Sequence, residues 1–261
     1  MADEQEQRRR VRDAFTRQAA TFEDQQLNQA FTSGLPRLLA VAEPRRDDTC
    51  LEVAAGTSLV GRGLAEQVAH VVALDATPAM LWEGRRQADQ AGIRNLAFVL
   101  GDAARLPCRA AAFSLVVTRF SLHHFADPVG PLRELIRVCR SGGRVVVQDL
   151  ASSTDPDLAR RQDEVERLRD PSHLRMTPAG GLRGQLEDAG MRVTLADTVP
   201  VVRPVGQWLR QALTEPDAAA AVIERFEQEL AGGEPTGLRP RRRDGELWFE
   251  QTWETTMAVK P

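Results

Sequence analysis

The stretch Leu51-Glu52-Val53-Ala54-Ala55-Gly56-Thr57-Ser58 decides the fold of this chain. It reads as a short apolar strand, beginning at Thr49, that ends in small residues, and residues 59–68 can form the helix that follows. The unit is therefore a strand, a tight turn and a helix. Because the turn carries no bulky side chain, a ligand can approach its backbone closely.

The same unit repeats along the first 150 residues. Four more apolar strands are predicted, alternating with amphipathic helices. The strands cover His70–Asp75, Leu96–Asp102, Ala112–Thr118 and Arg144–Leu150, and the helices cover Pro78–Ala91 and about Pro128–Arg140. The pair Gly142-Gly143 predicts a left-handed stop for the second helix. Such strands need both faces of the sheet covered, which predicts an open, doubly wound parallel sheet.

The pattern changes after residue 150. Helices are predicted over 158–169, 179–189 and 205–230, a strand over 191–199, a Gly-, Pro- and Arg-rich loop over 232–245 and a last strand over 246–260. Residues 11–30 have helical periodicity, and such a helix could lie across the mouth of a site. We expect one domain, divided into a helical lid (1–48), a ligand-binding core (49–151), a helical cap (152–245) and a final strand (246–261).

The composition excludes several classes of protein. With 261 residues, 42% hydrophobic and 27% charged, the chain can bury one large core. A net charge of −3 argues against a nucleic-acid binder, and the run Arg241–Arg243 is interpreted as a solvated loop. No run of 18 apolar residues and no leader-like start is present, so we expect no membrane segment and a soluble, cytoplasmic protein. The three cysteines are expected to be reduced, buried thiols: Cys50, Cys108 and Cys139.

Two acidic residues follow the next two strands. Asp75 lies 19 residues after Gly56, where its carboxylate can accept hydrogen bonds from ribose hydroxyls. Asp102, one strand further, could bind an adenine amino group. Both could instead cap helices, but their positions at strand ends favour contact with a ligand.

The order and spacing of these motifs resemble the class I S-adenosylmethionine-dependent methyltransferases, especially the ubiquinone/menaquinone-biosynthesis branch (methyltransferase type 11). The resemblance spans residues 11–150 closely. Further motifs that carry it are Ser121-Leu122-His123-His124-Phe125-Ala126-Asp127-Pro128, residues 135–143, Asp170-Pro171-Ser172-His173 and the opening Phe15-Thr16-Arg17-Gln18-Ala19. The resemblance implies an α/β, Rossmann-like doubly wound sheet of seven strands, mostly parallel with an antiparallel last strand, plus helical cap elements.

The resemblance also implies a cofactor, S-adenosyl-L-methionine, with S-adenosyl-L-homocysteine as its product. By position, the methionine moiety would be held by Glu52, Ala54 and Gly56, the ribose by Asp75, and the adenine by Asp102 and Ala103. The remaining candidates for cofactor binding are Ala76, Met80, Gly101 and Arg119.

The turn departs from the family pattern at three positions. Ala54 and Ser58 replace the usual glycines, and Glu52 replaces the usual aspartate. An alanine is accepted in a turn without positive φ, whereas a left-handed conformation would cost about 1 kcal/mol or more.

The implied reaction is an in-line displacement, in which a nucleophile of the acceptor attacks the sulfonium methyl group. A base is needed only if that nucleophile carries a proton of high pKa, and histidine suits this task near neutral pH. The catalytic candidates are His123, His124 and His173, each of which could instead be a structural hydrogen-bonding residue.

We expect an enzyme that methylates an oxygen, nitrogen or carbon atom of a small molecule, such as a secondary metabolite or a quinone-like compound. No metal, nucleic-acid or membrane partner is expected, and a homodimer is possible. A nicotinamide dehydrogenase is disfavoured, because G-x-G-x-x-G would need glycine at Ala54 and Leu59. A protein of methyltransferase fold that acts as a cyclase, a decarboxylase or a regulatory partner remains an alternative.

Overall fold

A long polar helix opens the chain. The structure, a computed structural model, describes residues 2–24 and 29–261. Helix α1 covers Ala2–Gln18, followed by a single 3-10 turn, α2 (Gln29–Ser33) and α3 (Leu35–Ala42). The helix predicted over 11–30 therefore has wrong bounds, because α1 begins nine residues earlier and ends at Gln18. Residues 25–28 of the predicted helix lie outside the described residues. Pairs such as Arg8 with Glu4 stabilise the first turns of α1, and apolar periodicity does not detect them.

Five parallel strands form the first half of the sheet. They are β1 (Thr49–Val53), β2 (His70–Asp75), β3 (Leu96–Leu100), β4 (Phe113–Arg119) and β5 (Cys139–Ser152), in the spatial order β3-β2-β1-β4-β5. The helices that connect them are α4 (Leu59–Leu64), α5 (Pro78–Gln90) and α6 (Val129–Val138). The strand order reverses between β1 and β4, and at such a switch point the crevice outside the strands' carboxyl ends receives ligands.

The second half of the chain completes the sheet. Its elements are α7 (Pro156–Arg169), β6 (Thr177–Pro178), α8 (Gly181–Asp188), β7 (Arg192–Pro204), α9 (Val205–Gln211), α10 (Pro216–Leu230), β8 (Arg241–Arg243) and β9 (Glu246–Val259). The last strand, β9, runs antiparallel between β5 and β7. This confirms the predicted doubly wound, mostly parallel sheet with an antiparallel last strand, although the sheet of the described residues has nine strands instead of the predicted seven. The short strands β6 and β8 add to it at β5 and β9.

Three local predictions differ from the structure. Residues 205–230 form two helices, because Leu213 has φ +53° and Pro216 begins a new helix. Helix α6 ends at Val138 with an extended cap residue, so the left-handed Gly142 lies beyond the helix and does not cap it. The arginines of β8 form a strand rather than a loop, since Asp244 and Gly245 both have positive φ and close a two-residue hairpin.

Apolar side chains cover both faces of the sheet. One face packs on α6 and α8 through Leu135 and Leu186, and the other packs on α3 and α4 through Leu38 and Leu64. The cap has its own cluster around Trp208. A strongly buried sheet of this kind fixes the positions of its strand ends, where side chains are free to meet a ligand. Within residues 2–24 and 29–261, no helix is long and apolar enough to cross a membrane.

Candidate active site

The turn after β1 is held from below by Asp75. Its Oδ2 accepts a hydrogen bond from the Gly56 N–H at 2.7 Å, and its Oδ1 accepts one from the Thr77 N–H at 2.8 Å. Burial raises the pKa of Asp75, against the lowering effect of these hydrogen bonds. The carboxylate therefore ties the ends of β1 and β2 together, and it stands where the sequence predicted a ribose-binding acid.

Three residues of the turn have left-handed backbone conformations. Ala54 has φ +52°, Gly56 +54° and Ser58 +60°. The two positions where the family pattern has glycine are therefore positions that favour glycine physically. The condition under which alanine fits without cost, a turn without positive φ, is not met at Ala54.

Glu52 is buried beneath the turn. Its Oε2 accepts hydrogen bonds from the Ser58 hydroxyl at 2.6 Å and the Gly61 N–H at 2.8 Å. Burial raises the pKa of Glu52 to about 7, although both hydrogen bonds favour the charged form. The side chain thus supports the turn and the first turn of α4, while its Oε1 has no hydrogen bond with any described residue.

Asp102 lies at the end of β3, beside the same crevice. Its Oδ1 accepts a hydrogen bond from the Ala104 N–H at 2.9 Å, and its Oδ2 forms an ion pair with Arg8 of α1 at 2.5 Å. The residue before Asp102 is Gly101. A Cβ added there would lie 2.8 Å from Leu74 Cδ1, so the close packing at this position favours glycine. The Asp102 side chain is 33% exposed and faces the opening, whereas Ala103 is buried in the core.

The segment after α1 lies over the turn. The ring of Phe22 would be 3.5 Å from a Cβ added at Gly56, and Met80 Sδ would be 3.9 Å away. Glu23 binds the Thr57 hydroxyl and also pairs with the Arg62 guanidinium. The segment after α1 therefore contacts the turn directly, within the region where the sequence predicts a helical lid. Of the other predicted residues near the turn, Ala76 is exposed at the rim.

The three candidate histidines come together in one buried cluster. The ring centroids of His123 and His124 are 4.2 Å apart, and those of His123 and His173 are 5.2 Å apart. Phe15 of α1 packs edge-on against His124 at 5.2 Å and against Phe22 at 6.1 Å. Along this line of contacts, two rings, Phe15 and Phe22, lie between the cluster and the turn that follows β1.

Two of these rings have a carboxylate partner that sequence reasoning missed. His123 Nδ1 lies 2.5 Å from Asp149 Oδ1, and His173 Nε2 lies 2.8 Å from Asp163 Oδ1. Asp149 follows the apolar run 145–147 within β5, and this position near the end of a central strand is a signal that could have identified it. Asp163 is on α7 and offered no such signal.

The histidines differ in protonation. Burial lowers the pKa of His123, but the Asp149 carboxylate, with Glu166 and Asp170, raises it by more, so the net pKa is above its usual value. Burial lowers the pKa of His124 to about 3, and the charge on His123 acts in the same direction. His124 Nδ1 lies 3.1 Å from both the carbonyl and the hydroxyl of Ser172. At neutral pH, His124 is therefore uncharged, and His123 is the more basic of the two.

Arg119 ends β4 on the other side of the crevice. Its Nε donates to Gln148 Oε1 at 2.7 Å and its NH2 donates to the Phe31 carbonyl at 2.8 Å. Burial lowers the pKa of Arg119 to about 9. Sequence reasoning missed Gln148 and Phe31, which hold this side chain in place.

The crevice has no evident metal site. In the part of the chain that the structure describes, no three His, Cys, Asp or Glu side chains lie together where they could hold a metal ion. The polar groups at the strand ends are instead single carboxylates, backbone N–H groups and the histidine cluster. This is an arrangement suited to an organic ligand.

Comparisons with known proteins agree with this architecture. A family described as "Methyltransferase domain" matches residues 51–147. The uncharacterized methyltransferase YcgJ of Bacillus subtilis (strain 168) is 30% identical over 163 residues, which are 62% of this chain and 63% of YcgJ. The uncharacterized protein YafE of Escherichia coli (strain K12) is 31% identical over 169 residues, which are 65% of this chain and 81% of YafE.

The alignment with a relative of named activity covers a smaller share of that relative's length. The demethylmenaquinone methyltransferase of Beutenbergia cavernae is 35% identical over 130 residues, 48% of this chain and 52% of that protein. Among solved structures, a putative methyltransferase from Bacillus halodurans superposes with a TM-score of 0.80 at 24% identity, covering 88% of this chain and 99% of that one. At this identity, the similarity to the Bacillus halodurans structure shows only that the two chains share a fold.

The matched residues 51–147 contain the turn after β1, both strand-end acids and the pair His123-His124. YafE aligns over four-fifths of its length at 31% identity. This chain therefore belongs to the methyltransferase-domain family, as the resemblance of its motifs to the ubiquinone/menaquinone-biosynthesis branch predicted.

Proposed function

We propose that this chain is an S-adenosylmethionine-dependent methyltransferase that acts on a small-molecule acceptor. One observation carries the proposal: Asp75, the left-handed turn around Gly56 and Asp102 meet at the carboxyl ends of three adjacent strands, within the matched domain. Ligands of doubly wound sheets bind at such a place. We propose that the methyl group is transferred to an oxygen, nitrogen or carbon atom of this acceptor.

The residues at the strand ends fit this cofactor. Gly56 places no side chain between its backbone and a ligand, and the three atoms nearest to an added Cβ belong to the Phe22 ring and Met80 Sδ. Asp75 offers a carboxylate for ribose hydroxyls, and the partly exposed Asp102 offers one for an adenine amino group. Glu52 contributes by holding the turn rather than by direct contact through Oε2. The cofactor supplies the methyl group on a sulfonium centre.

His123 is the general base when the acceptor nucleophile carries a proton. Asp149 holds its Nδ1, and Nε2 has no hydrogen-bond partner among the residues that the structure describes. The carboxylate fixes the ring orientation and raises its basicity, as in other carboxylate–histidine pairs. His124 is uncharged, so it adds no second positive charge beside His123. His173, bound to Asp163 of α7, packs on the other side of the cluster.

The acceptor lies between the strand ends and the elements that surround them. Phe15 and Phe22 from the N-terminal segment supply apolar rings on one side, and the cap that follows β5 would supply the other side. An apolar, water-excluding enclosure favours displacement at a charged sulfonium, because charge is dispersed as the methyl group moves. A quinone-like acceptor, of the kind that the Beutenbergia cavernae relative's name indicates, suits these walls.

The test separates cofactor binding from transfer. Calorimetry with S-adenosylmethionine, S-adenosylhomocysteine and NADH should show saturable binding of the first two only. Asp75→Asn and Asp102→Asn should weaken it, while Asp89→Asn, an exposed carboxyl on α5, should leave it unchanged. Binding of NADH alone would overturn the proposal.

A second measurement distinguishes transfer from the alternative chemistry. Acceptor candidates incubated with the protein and S-adenosylmethionine should gain the mass of one methylene group. A substrate that is converted without this gain would instead support the cyclase or decarboxylase alternative.

A further inference from the structure

The guanidinium group of Arg119 is buried with part of its hydrogen-bonding capacity unused. The residue is 6% exposed. Nε and NH2 each have an oxygen partner, but NH1 has none among the residues that the structure describes. Arginine presents its donors in a fixed planar fork, so the remaining N–H groups cannot turn away to find water. An unpaired donor in such a place costs free energy unless a ligand pairs with it.

The positive charge of Arg119 also has no carboxylate in direct contact among the described residues. Its two partners, Gln148 and the Phe31 carbonyl, are neutral. Glu52 acts on it only through space and hydrogen-bonds elsewhere. A buried cation without an ion-pair partner is strongly unfavourable in a folded protein. The missing partner is therefore an anion.

Aromatic rings surround this cation. The Arg119 Cζ lies 4.2 Å from the centroid of Phe31, 4.8 Å from that of Phe120 and 6.0 Å from that of Trp253. Phe120 and Trp253 pack edge-on at 4.6 Å. Phe31 and Phe120 are only partly buried, whereas the indole N–H of Trp253 is buried and has no partner among the described residues. We call these four residues the Arg119 cage.

The cage connects with the proposed cofactor site but lies to one side of it. Phe22, which covers Gly56, packs edge-on against Phe31 at 5.4 Å. Trp253 belongs to β9, three strands from β1, a separation of about 14 Å at the usual strand spacing. Arg119 itself ends β4, which pairs with β1, so a group bound across the cage would reach from beside the turn toward β9.

We propose that the Arg119 cage is the acceptor-binding subsite, and that it selects molecules with a flat apolar body and an anionic oxygen group. The anion accepts hydrogen bonds from Arg119 NH1, and the flat body contacts Phe31 and Phe120. The inference rests on the proposed function, because an acceptor exists only if the protein transfers a group. It assigns Arg119 to the binding of the acceptor rather than of the cofactor. The Trp253 N–H is the second donor of the cage.

The experiment compares two probes that differ only in charge. Naphthalene carboxylate and its neutral carboxamide are titrated by calorimetry into the full chain, with and without S-adenosylhomocysteine. The carboxylate should bind more tightly, and Arg119→Gln should weaken it by about tenfold or more, as expected for a hydrogen bond to a charged group. Arg119→Lys should retain part of the preference, and Trp253→Phe should reduce it without abolishing it.

Controls make each outcome decisive. Arg140→Gln, at an exposed arginine remote from the cage, should leave both probes unchanged. If Arg119→Gln weakens S-adenosylhomocysteine but not the carboxylate, Arg119 belongs to the cofactor and the inference is wrong. Equal binding of carboxylate and carboxamide would also overturn it. Carboxylate binding without any S-adenosylhomocysteine binding would support the cage while contradicting the proposed function.

Discussion

Arg8 of α1 forms an ion pair with Asp102 at the end of β3, with 2.5 Å between NH1 and Oδ2. The first helix and the third strand are far apart in the chain, so this contact fixes the helix over the mouth of the crevice. Asp102 is also the acid expected to bind adenine. In the proposed cofactor complex, Arg8 and the adenine amino group would compete for the Asp102 carboxylate.

Removing Arg8 should strengthen cofactor binding slightly. The Arg8 side chain is 49% exposed, and exposed ion pairs contribute only about 0–1 kcal/mol, so Arg8→Ala should tighten S-adenosylhomocysteine binding by at most about fivefold. Calorimetry at low and high salt measures this, and the difference should vanish as salt screens the pair. Arg9→Ala, which removes a pair with Glu6 on the same helix, is the control. Weaker binding in Arg8→Ala would show that the arginine assists the cofactor.

The left-handed Ala54 predicts a stabilising substitution. Ala54→Gly should raise the free energy of unfolding by about 0.5–1 kcal/mol, because glycine adopts φ +52° without strain. Thermal denaturation should show an increase of a few degrees in Tm. Ala111→Gly, at φ +57° outside the site, should stabilise similarly. Ala55→Gly, which has no positive φ, should destabilise, and a loss of stability in Ala54→Gly would contradict the argument.

The fold could be predicted from the sequence because each core strand is a continuous apolar run with a turn signal after it. Asp75 could be predicted in the same way, because it is the last residue of β2 and the end of that strand is visible in the sequence. The predicted helix cap at Gly142 is wrong, because Gly142 lies in the first part of β5, where a glycine can also adopt a positive φ.

The partners within the site could not be predicted in this way. Asp163 is one of 37 acidic residues, and only the packing of α7 beside the histidines distinguishes it. Asp149 is the exception, because its place near the end of a central strand is visible in the sequence. The Arg119 cage likewise draws Phe31, Phe120 and Trp253 from three distant segments. Contacts between segments depend on tertiary packing, which periodicity does not encode.

Glu52 predicts a specific dependence of stability on pH. Burial raises its pKa from 4.5 to about 7, so the folded state binds its proton more tightly than the unfolded chain does. This contribution to stability is fully present below pH 4.5 and is lost as the pH rises to about 7. Above that range, the buried charge costs about 3 kcal/mol.

Glu52→Gln should therefore be more stable than the parent at pH 8 and equal to it at pH 4. The amide is nearly isosteric and never ionises, although it weakens the hydrogen bonds from Ser58 and Gly61. Urea denaturation of both proteins across this range measures the difference. A constant difference at every pH would mean that Glu52 has an ordinary pKa. Glu66→Gln, at an exposed glutamate, is the matched control.

The pair of His123 and Asp149 predicts the pH dependence of transfer to an acceptor whose nucleophile carries a proton. His123 acts as a base only when neutral, and its pKa is raised above 6.5, so kcat/KM should fall as the pH drops through a value above 6.5. His123→Asn should lower kcat by about a hundredfold or more.

Asp149→Asn should move this acidic limb to lower pH and also lower kcat. The amide cannot supply the negative charge that raises the pKa of His123, while burial, which lowers it, remains. Asp163→Asn, which acts on His173, should leave the position of the limb nearly unchanged. A merely structural role for Asp149 would reduce the rate equally at every pH, without moving the limb, and that result would remove His123 from the role of base.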